Sequence, residues 1–172
     1  MPRVRFGSRS LPTGKKGSLD VSETHLEQET VYDRLGDLPP VAELISWKLL
    51  GLDRAANSIH LSFTAAKEFT NPGGTVHGGF ITAMLDECMG SAVVGLTEAE
   101  FLPSTISMTT DFIKPVFVGE VFGEGRITSM GGKSAFLEGK LTDAGGTTLA
   151  RSVAAYRLLP WPEHLKPRPK RG

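Results

Sequence analysis

Residues 77–96 read His77-Gly78-Gly79-Phe80-Ile81-Thr82-Ala83-Met84-Leu85-Asp86-Glu87-Cys88-Met89-Gly90-Ser91-Ala92-Val93-Val94-Gly95-Leu96. Advanced on a helix at roughly 100° per residue, Ile81, Met84, Leu85, Cys88, Ala92, Gly95 and Leu96 fall within roughly 60° of one direction. That stripe is the expected core face. Cys88 lies near its middle and reads as a small buried hydrophobe rather than a reactive thiolate. The opposite side carries Gly79, Thr82, Ala83, Asp86, Gly90 and Val93, small residues around one carboxylate. Gly79 and Gly90 each cost about 1 kcal/mol against Ala in an exposed helix interior, and a solvated face normally carries long charged side chains instead. Close packing against a second helix accounts for both. Because closed two-fold assemblies dominate among homo-oligomers, the expected partner is the same helix of another copy, running antiparallel.

Upstream, Asn71-Pro72-Gly73-Gly74-Thr75-Val76 leads a Gly-rich turn into the start of this helix. Unpaired N–H groups and the positive end of the macrodipole converge there, which makes an oxyanion site. Gly78 and Gly79, lacking Cβ, would let a bulky carbonyl substrate approach the backbone; a plain turn with glycine stops is the other reading. Asp86 lies about 13 Å along the axis from His77 and half a turn around it, so one helix cannot present both to the same substrate. Two antiparallel copies can, giving two equivalent sites between subunits. Glu87, at roughly 280° on the same wheel, points away from the small-residue face and reads as structural.

Around the helix the pattern changes to strands. Segments 43–52 and 58–66, joined by the polar stretch Asp53 to Asn57, read as a β-hairpin. After the helix come four strands near 103–114, 117–129, 133–142 and 147–159, punctuated by Pro115, Gly119, Gly131-Gly132 and Gly145-Gly146. Such a meander without intervening helices predicts an antiparallel sheet of about six strands with one long helix against one face, an α+β fold. Before it, Ser22 or Thr24 caps an expected short helix running toward Leu35, with Glu27 as the capping-box acid for Thr24 and with Gly36 and Pro39-Pro40 as its stop.

Length and charge bound the rest. A chain of 172 residues, 40% hydrophobic, suits one well-buried domain. Its 19 basic and 19 acidic side chains cancel, but unevenly. Residues 1–19 carry Arg3, Arg5, Arg9, Lys15 and Lys16 with no acid, and the tail from 160 carries Lys166, Arg168, Lys170 and Arg171 against Glu163. The stretch between is therefore acidic, which argues against nucleic acid as a partner of the folded domain. The basic start is expected to be a solvated arm; a mitochondrial targeting segment is the minority alternative, because Pro2, Gly7, Pro12, Gly14 and Gly17 would interrupt its helix. A single cysteine excludes an intrachain disulfide and asks for no oxidising compartment, so a cytoplasmic location is expected. No apolar run approaches the roughly 18 residues of a membrane span. His25, His60, His77 and His164 show no metal-ligand spacing, and neither a metal nor a bound cofactor is expected.

The string from Asn71 to Asp86, with Asn, His-Gly-Gly and Leu-Asp elements at these spacings, resembles the hotdog-fold acyl-CoA thioesterases. It looks most like the phenylacetyl-CoA thioesterase type within the 4-hydroxybenzoyl-CoA thioesterase superfamily. The resemblance implies a hotdog domain over 42–159, flanked by a flexible basic arm (1–22), an N-terminal helical extension (23–41) and a Pro-rich basic tail (160–172). It implies hydrolysis of acyl-CoA to a carboxylic acid and CoA by a homodimer or dimer of dimers. Asp86 matches the catalytic carboxylate, as general base or nucleophile; Gly78 the oxyanion donor; Asn71 the residue that orients water or substrate; His77 the residue that steadies the local network. A hydroxyl on the first strand after the helix corresponds to Thr105, with Ser104 and Ser107 as competitors. Gly79, Phe80 and Met84 are expected against the acyl thioester, and Lys114, Arg126, Lys133 and Arg151 are candidate partners of the CoA phosphates. A hotdog hydratase or dehydratase, or a non-catalytic acyl-CoA binding module, are the alternative functions on this fold.

Overall fold

The structure is a computed structural model and describes residues 29–169. In chain order the elements are α1 (Val31–Leu35), α2 (Pro40–Leu44), β1 (Lys48–Asp53), β2 (Ser58–Ala65), α3 (Gly78–Leu96), β3 (Leu102–Phe112), β4 (Gly119–Gly131), β5 (Ser134–Thr142) and β6 (Thr148–Leu159). The expected caps at Ser22 and Thr24 and the basic arm lie outside the described residues, as does the very end of the tail. Within them, α1 starts later than expected, capped by Thr30. The Asp33 carboxylate accepts from the Thr30 backbone N–H at 2.7 Å and from its hydroxyl at 2.8 Å. Gly36, at φ 90°, ends it as expected. Pro39-Pro40 does not simply stop a helix but starts the next one: Pro40 occupies the first helical position of α2, where its missing N–H costs nothing. The segment from Glu43 is thus helical first, and β1 begins only at Lys48.

β1 and β2 form the expected antiparallel hairpin, with Asp53 paired to Ser58. Asp53 closes the connection by accepting from the N–H groups of Ala55 and Ala56, each at 2.9 Å. The four later strands fall close to their expected limits, but their order is not a simple meander. All pairs are antiparallel, and the sheet runs β1-β2-β4-β5-β6-β3. β4 pairs with β2 instead of β3, so the chain leaving α3 must cross to the far edge, where β3 pairs with β6. The helix is the crossover: its 19 residues carry the chain over the sheet from one side to the other.

Alternation in β5 shows which face is inside. Ala135, Leu137, Gly139 and Leu141 are buried, whereas Phe136, Glu138 and Lys140 are exposed. The inner face wraps α3 closely. A Cβ on Gly123 would overlap the Cys88 Sγ, and one on Gly125 would overlap the Cys88 carbonyl group. At Gly139 it would stand 3.1 Å from Met89 Cγ. These strand glycines are where the helix backbone rests on the sheet. Cys88 is a core residue, and burial pushes its thiol well above the ordinary value.

The stripe Ile81, Met84, Leu85, Cys88 and Ala92 is buried as the helical period predicts. Met89, Ser91, Val93 and Val94 are buried as well. Val93 therefore does not belong to an open small-residue face. Val93 belongs to the main core, while α1 and the turn after α3 cover the neighbouring Val94 at the helix's C-terminal end. Tyr32 donates to the Ser91 carbonyl at 2.5 Å, and Val31, Val94 and Ala99 form a satellite cluster with Trp161 against it. By length and composition α3 could cross a membrane; it is instead the wrapped helix of this core. Gly79, Thr82, Ala83, Asp86 and Gly90 keep partial or full exposure.

Candidate active site

The helix start is built by the loop before it. Asn71 organises that loop: its Oδ1 accepts from Gly73 N–H at 2.8 Å and from Thr75 N–H at 3.4 Å, and its Nδ2 donates to Thr75 Oγ1 at 2.9 Å. The backbone reinforces the turn through Asn71 N–H to Thr75 carbonyl at 2.8 Å, and Val76 N–H bonds the Val116 carbonyl at 2.8 Å. In this protomer the asparagine amide is thus committed to its own loop.

His77 is the N-cap of α3, with its Nδ1 accepting from the Gly79 N–H at 3.2 Å. The cap has a consequence for the two glycines. The Gly79 amide is occupied by the imidazole, while the Gly78 amide, at the first helical position, has no intrahelical acceptor. A Cβ on Gly78 would stand 3.2 Å from the ring of Phe112, which places the helix start beside the end of β3. The Gly79 N–H serves the cap, and the residue itself is exposed at the first turn.

Asp86 sits two turns further along, half-buried. Its Oδ1 accepts from Thr105 Oγ1 at 2.9 Å and from the Tyr156 hydroxyl at 2.5 Å. Thr105 and Tyr156 are direct cross-strand partners of β3 and β6. The choice among Ser104, Thr105 and Ser107 is made by an irregularity in the β3 register between Thr105 and Ser107, which leaves Ile106 exposed and sends Thr105 to the helix side. Tyr156 was not anticipated. The only trace in the sequence is a tyrosine on the inward parity of a strand, whose buried hydroxyl must find a partner somewhere. Glu87, next to Asp86, is half-buried; desolvation, and secondarily the Asp86 charge, push its carboxyl above the usual range.

The remaining expected contacts divide. Phe80 stacks on Phe69, centroids 4.1 Å apart and planes at 13°, beside the helix start. Met84 is wholly inside the core, because at its place on the wheel it faces the sheet, and it does not line an opening of this protomer. Arg126 and Arg151 stand on the outer face of the sheet, away from α3, where Arg126 pairs with Glu138 at 3.2 Å and Arg151 with Asp111 at 2.9 Å. They line a trough of about 810 Å³ with Glu124 and Lys140, themselves paired at 2.8 Å. Lys114 is exposed just after β3, and its charge helps to lower the Asp143 carboxyl, for which hydrogen bonding from Thr147 is the largest cause. Lys133 lies in the β4–β5 turn, and its carbonyl accepts from Leu158 N–H at 2.9 Å. It is therefore beside Arg157, which pairs in register with Ser104 on one side and Ser134 on the other. Neither cation has an ion-pair partner among the described residues. Among those residues, too, no group of three His, Cys, Asp or Glu could hold a metal ion.

Comparison with known proteins gives concordant results. Residues 73–150 match the family model described as Thioesterase superfamily. The phenylacetic acid degradation-related protein of Ralstonia eutropha superposes with a TM-score of 0.69, covering 75% of this chain and 99% of that one at 26% identity. A Streptococcus mutans protein solved with acetyl-CoA bound superposes with a TM-score of 0.60 over 66% of this chain and 89% of its own, at 15% identity. A Saccharolobus solfataricus protein named as an esterase is 24% identical over 119 residues, 69% of this chain and 83% of that one. The wrapped helix and six-stranded antiparallel sheet are the hotdog fold of these neighbours.

Proposed function

We propose that this chain, whose residues 73–150 match the thioesterase-superfamily model, is a thioester hydrolase whose substrates are acyl-CoA thioesters and whose site is shared between two copies. The observation that carries this reading is the separation of two half-sites on one helix. The free Gly78 amide is at the first turn, and the Asp86 carboxylate is eight residues on, about 12 Å along the axis. Neither can serve the other's substrate within one protomer.

Two features favour pairing. Gly79, Thr82, Ala83 and Gly90 leave the side of α3 around Asp86 low and partly open. Beside it, β3 is an edge strand of 11 residues with a free backbone edge, which is a template for another strand. With the extra residue between Thr105 and Ser107 taken into account, an antiparallel two-fold pairing centred on Thr109 sets Thr105 of one copy near Phe112 of the other. The Asp86 cluster of one subunit then meets the helix start of its partner.

In that site the substrate carbonyl oxygen accepts from Gly78 N–H, with the helix dipole aiding the developing negative charge. Asp86 Oδ2, which has no partner among the described residues, is the reactive oxygen. As a general base it takes a proton from water while the water oxygen bonds to the carbonyl carbon. The tetrahedral intermediate collapses, the C–S bond breaks with its electron pair on sulfur, and the thiolate recovers the proton from Asp86. As a nucleophile, Oδ2 forms an acyl anhydride with loss of the thiolate, and water then cleaves the anhydride. His77 holds the first turn in place through its cap. The Phe69–Phe80 stack and Phe112 supply apolar surface next to the oxyanion donor. Acetyl-CoA bound to the Streptococcus mutans neighbour supports a CoA thioester as substrate.

Free-thiol release from short-chain, long-chain and aromatic acyl-CoAs tests the reading. Turnover of at least one class is expected, with loss of roughly 10²-fold or more in Asp86→Asn. Absence of turnover on every class, or an Asp86→Asn protein that keeps its rate, would overturn it.

A further inference from the structure

We propose that Tyr156 is a positioning residue that decides which oxygen of the Asp86 carboxylate reacts, an inference that rests on the role given to Asp86 above. Tyr156 is 1% exposed, on the inner face of β6, and its hydroxyl donates to Asp86 Oδ1 at 2.5 Å while lying 3.3 Å from the Asp86 backbone carbonyl. Thr105 donates to the same Oδ1 at 2.9 Å from the neighbouring strand. Two donors therefore converge on one oxygen, and Oδ2 is left with none among the described residues.

The consequence follows from the freedom of an aspartate. The terminal torsion of an Asp carboxylate is broad and roughly two-fold, so an untethered group exchanges its oxygens and swings between orientations. A threonine hydroxyl on an exposed edge strand is a loose anchor, since it rotates and water competes for it. The tyrosine is a rigid one. Its ring is locked in the core, its reach is fixed, and its bond to a charged acceptor is short. Burial, and then the bond to Asp86, hold the phenol far above its ordinary value, so it remains a donor across the working pH range and exchanges no proton with substrate. Packing alone does not require the hydroxyl, for a phenylalanine fills the same space. Its hydroxyl instead keeps Oδ2 aimed away from the sheet, toward the open side of α3.

The test compares wild type, Tyr156→Phe, Asp86→Asn and the double variant by thiol release on whichever acyl-CoA the wild type hydrolyses best, with melting temperature and oligomeric state measured in parallel. If Tyr156 acts through Asp86, Tyr156→Phe loses roughly 10- to 100-fold in kcat with KM within about twofold. The double variant is then no slower than Asp86→Asn alone. Incorporation of 3-fluorotyrosine at position 156, which keeps ring and hydroxyl, restores most of the rate and also serves if the phenylalanine protein does not fold. An unimpaired Tyr156→Phe, a loss confined to KM, multiplying losses in the double variant, or a 3-fluorotyrosine protein as slow as the phenylalanine one each overturn the proposal. Where Asp86→Asn is inactive and Tyr156→Phe is not impaired, this inference alone fails; where Asp86→Asn keeps full turnover, the assignment of Asp86 fails and this inference with it.

Discussion

Gly125 of β4 lies directly under the Cys88 carbonyl of α3, so close that a methyl group at that position would occupy the same space as the helix backbone. Backbone cannot rotate out of the way as a side chain can. Gly125→Ala is therefore expected to lose about 3 kcal/mol or more, read from urea unfolding. At Gly139 the opposing atoms belong to the flexible Met89 and to Leu85, and the loss in Gly139→Ala should be nearer 1 kcal/mol. Gly131, with nothing near its absent Cβ, should tolerate Ala within about 0.5 kcal/mol. Equal losses at the three positions would show that the helix does not rest on β4.

A site shared between copies predicts complementation. Asp86→Ala and Asn71→Ala should each be nearly inactive, the first for want of the carboxylate and the second because its loop no longer holds the helix start. After unfolding and refolding as an equal mixture, random two-fold pairing leaves one intact site in half of the dimers, so activity should return to about a quarter of wild type. No recovery, with mixed dimers demonstrated by differential tagging, would place all catalytic groups in one chain.

Glu87 makes a prediction in pH. Its carboxyl is pushed up in the folded protein by burial, so the native state holds a proton that the unfolded chain releases first. Its contribution to stability is complete below the ordinary value of 4.5 and is lost as pH rises through the elevated folded value. Glu87→Gln should accordingly raise the melting temperature at pH 7.5 and converge on wild type as the pH is lowered toward 4.5. A constant difference across that range would mean that the side chain is not desolvated.

Lys133 and Arg157 are adjacent and without ion-pair partners among the described residues, at the end of the sheet that carries Thr105. Arg157 is on the same outer face of β6 as Arg151, but Arg126 and Arg151 are already paired there. Replacing both Lys133 and Arg157 by Ala should raise KM for acyl-CoA roughly tenfold at low salt, with kcat little changed. The pantetheine thioester of the same acyl group, which lacks the nucleotide phosphates, should be unaffected. Arg126→Ala and Arg151→Ala serve as comparisons and should leave KM within about twofold. A KM that moves with Arg126 and not with Lys133 and Arg157 would reverse the assignment.

Much of this molecule is legible along the chain because two periods are recorded there. The helical period of residues 77–96 identified α3, its core stripe and the low face around Asp86. The Gly and Pro punctuation after it located four strands to within a few residues. The motif from Asn71 to Asp86 contains both proposed half-sites, and their separation is a matter of helical rise alone. Such properties are local, since they depend on a residue's position relative to its own axis.

Tertiary structure decided what depends on distant segments meeting. β3 sits at the far edge because β4 takes the place beside β2, and nothing near either strand states that preference. Thr105 rather than Ser104 or Ser107 faces Asp86 because of one break in register against β6. Val93 is drawn into the main core, and Gly123 and Gly125 take their meaning only from a helix more than 25 residues earlier in the sequence. Tyr156 reaches Asp86 across 70 residues. A hydroxyl and a carboxylate so far apart are joined by the register of a sheet, and register is set by the packing of every strand at once rather than by any one of them.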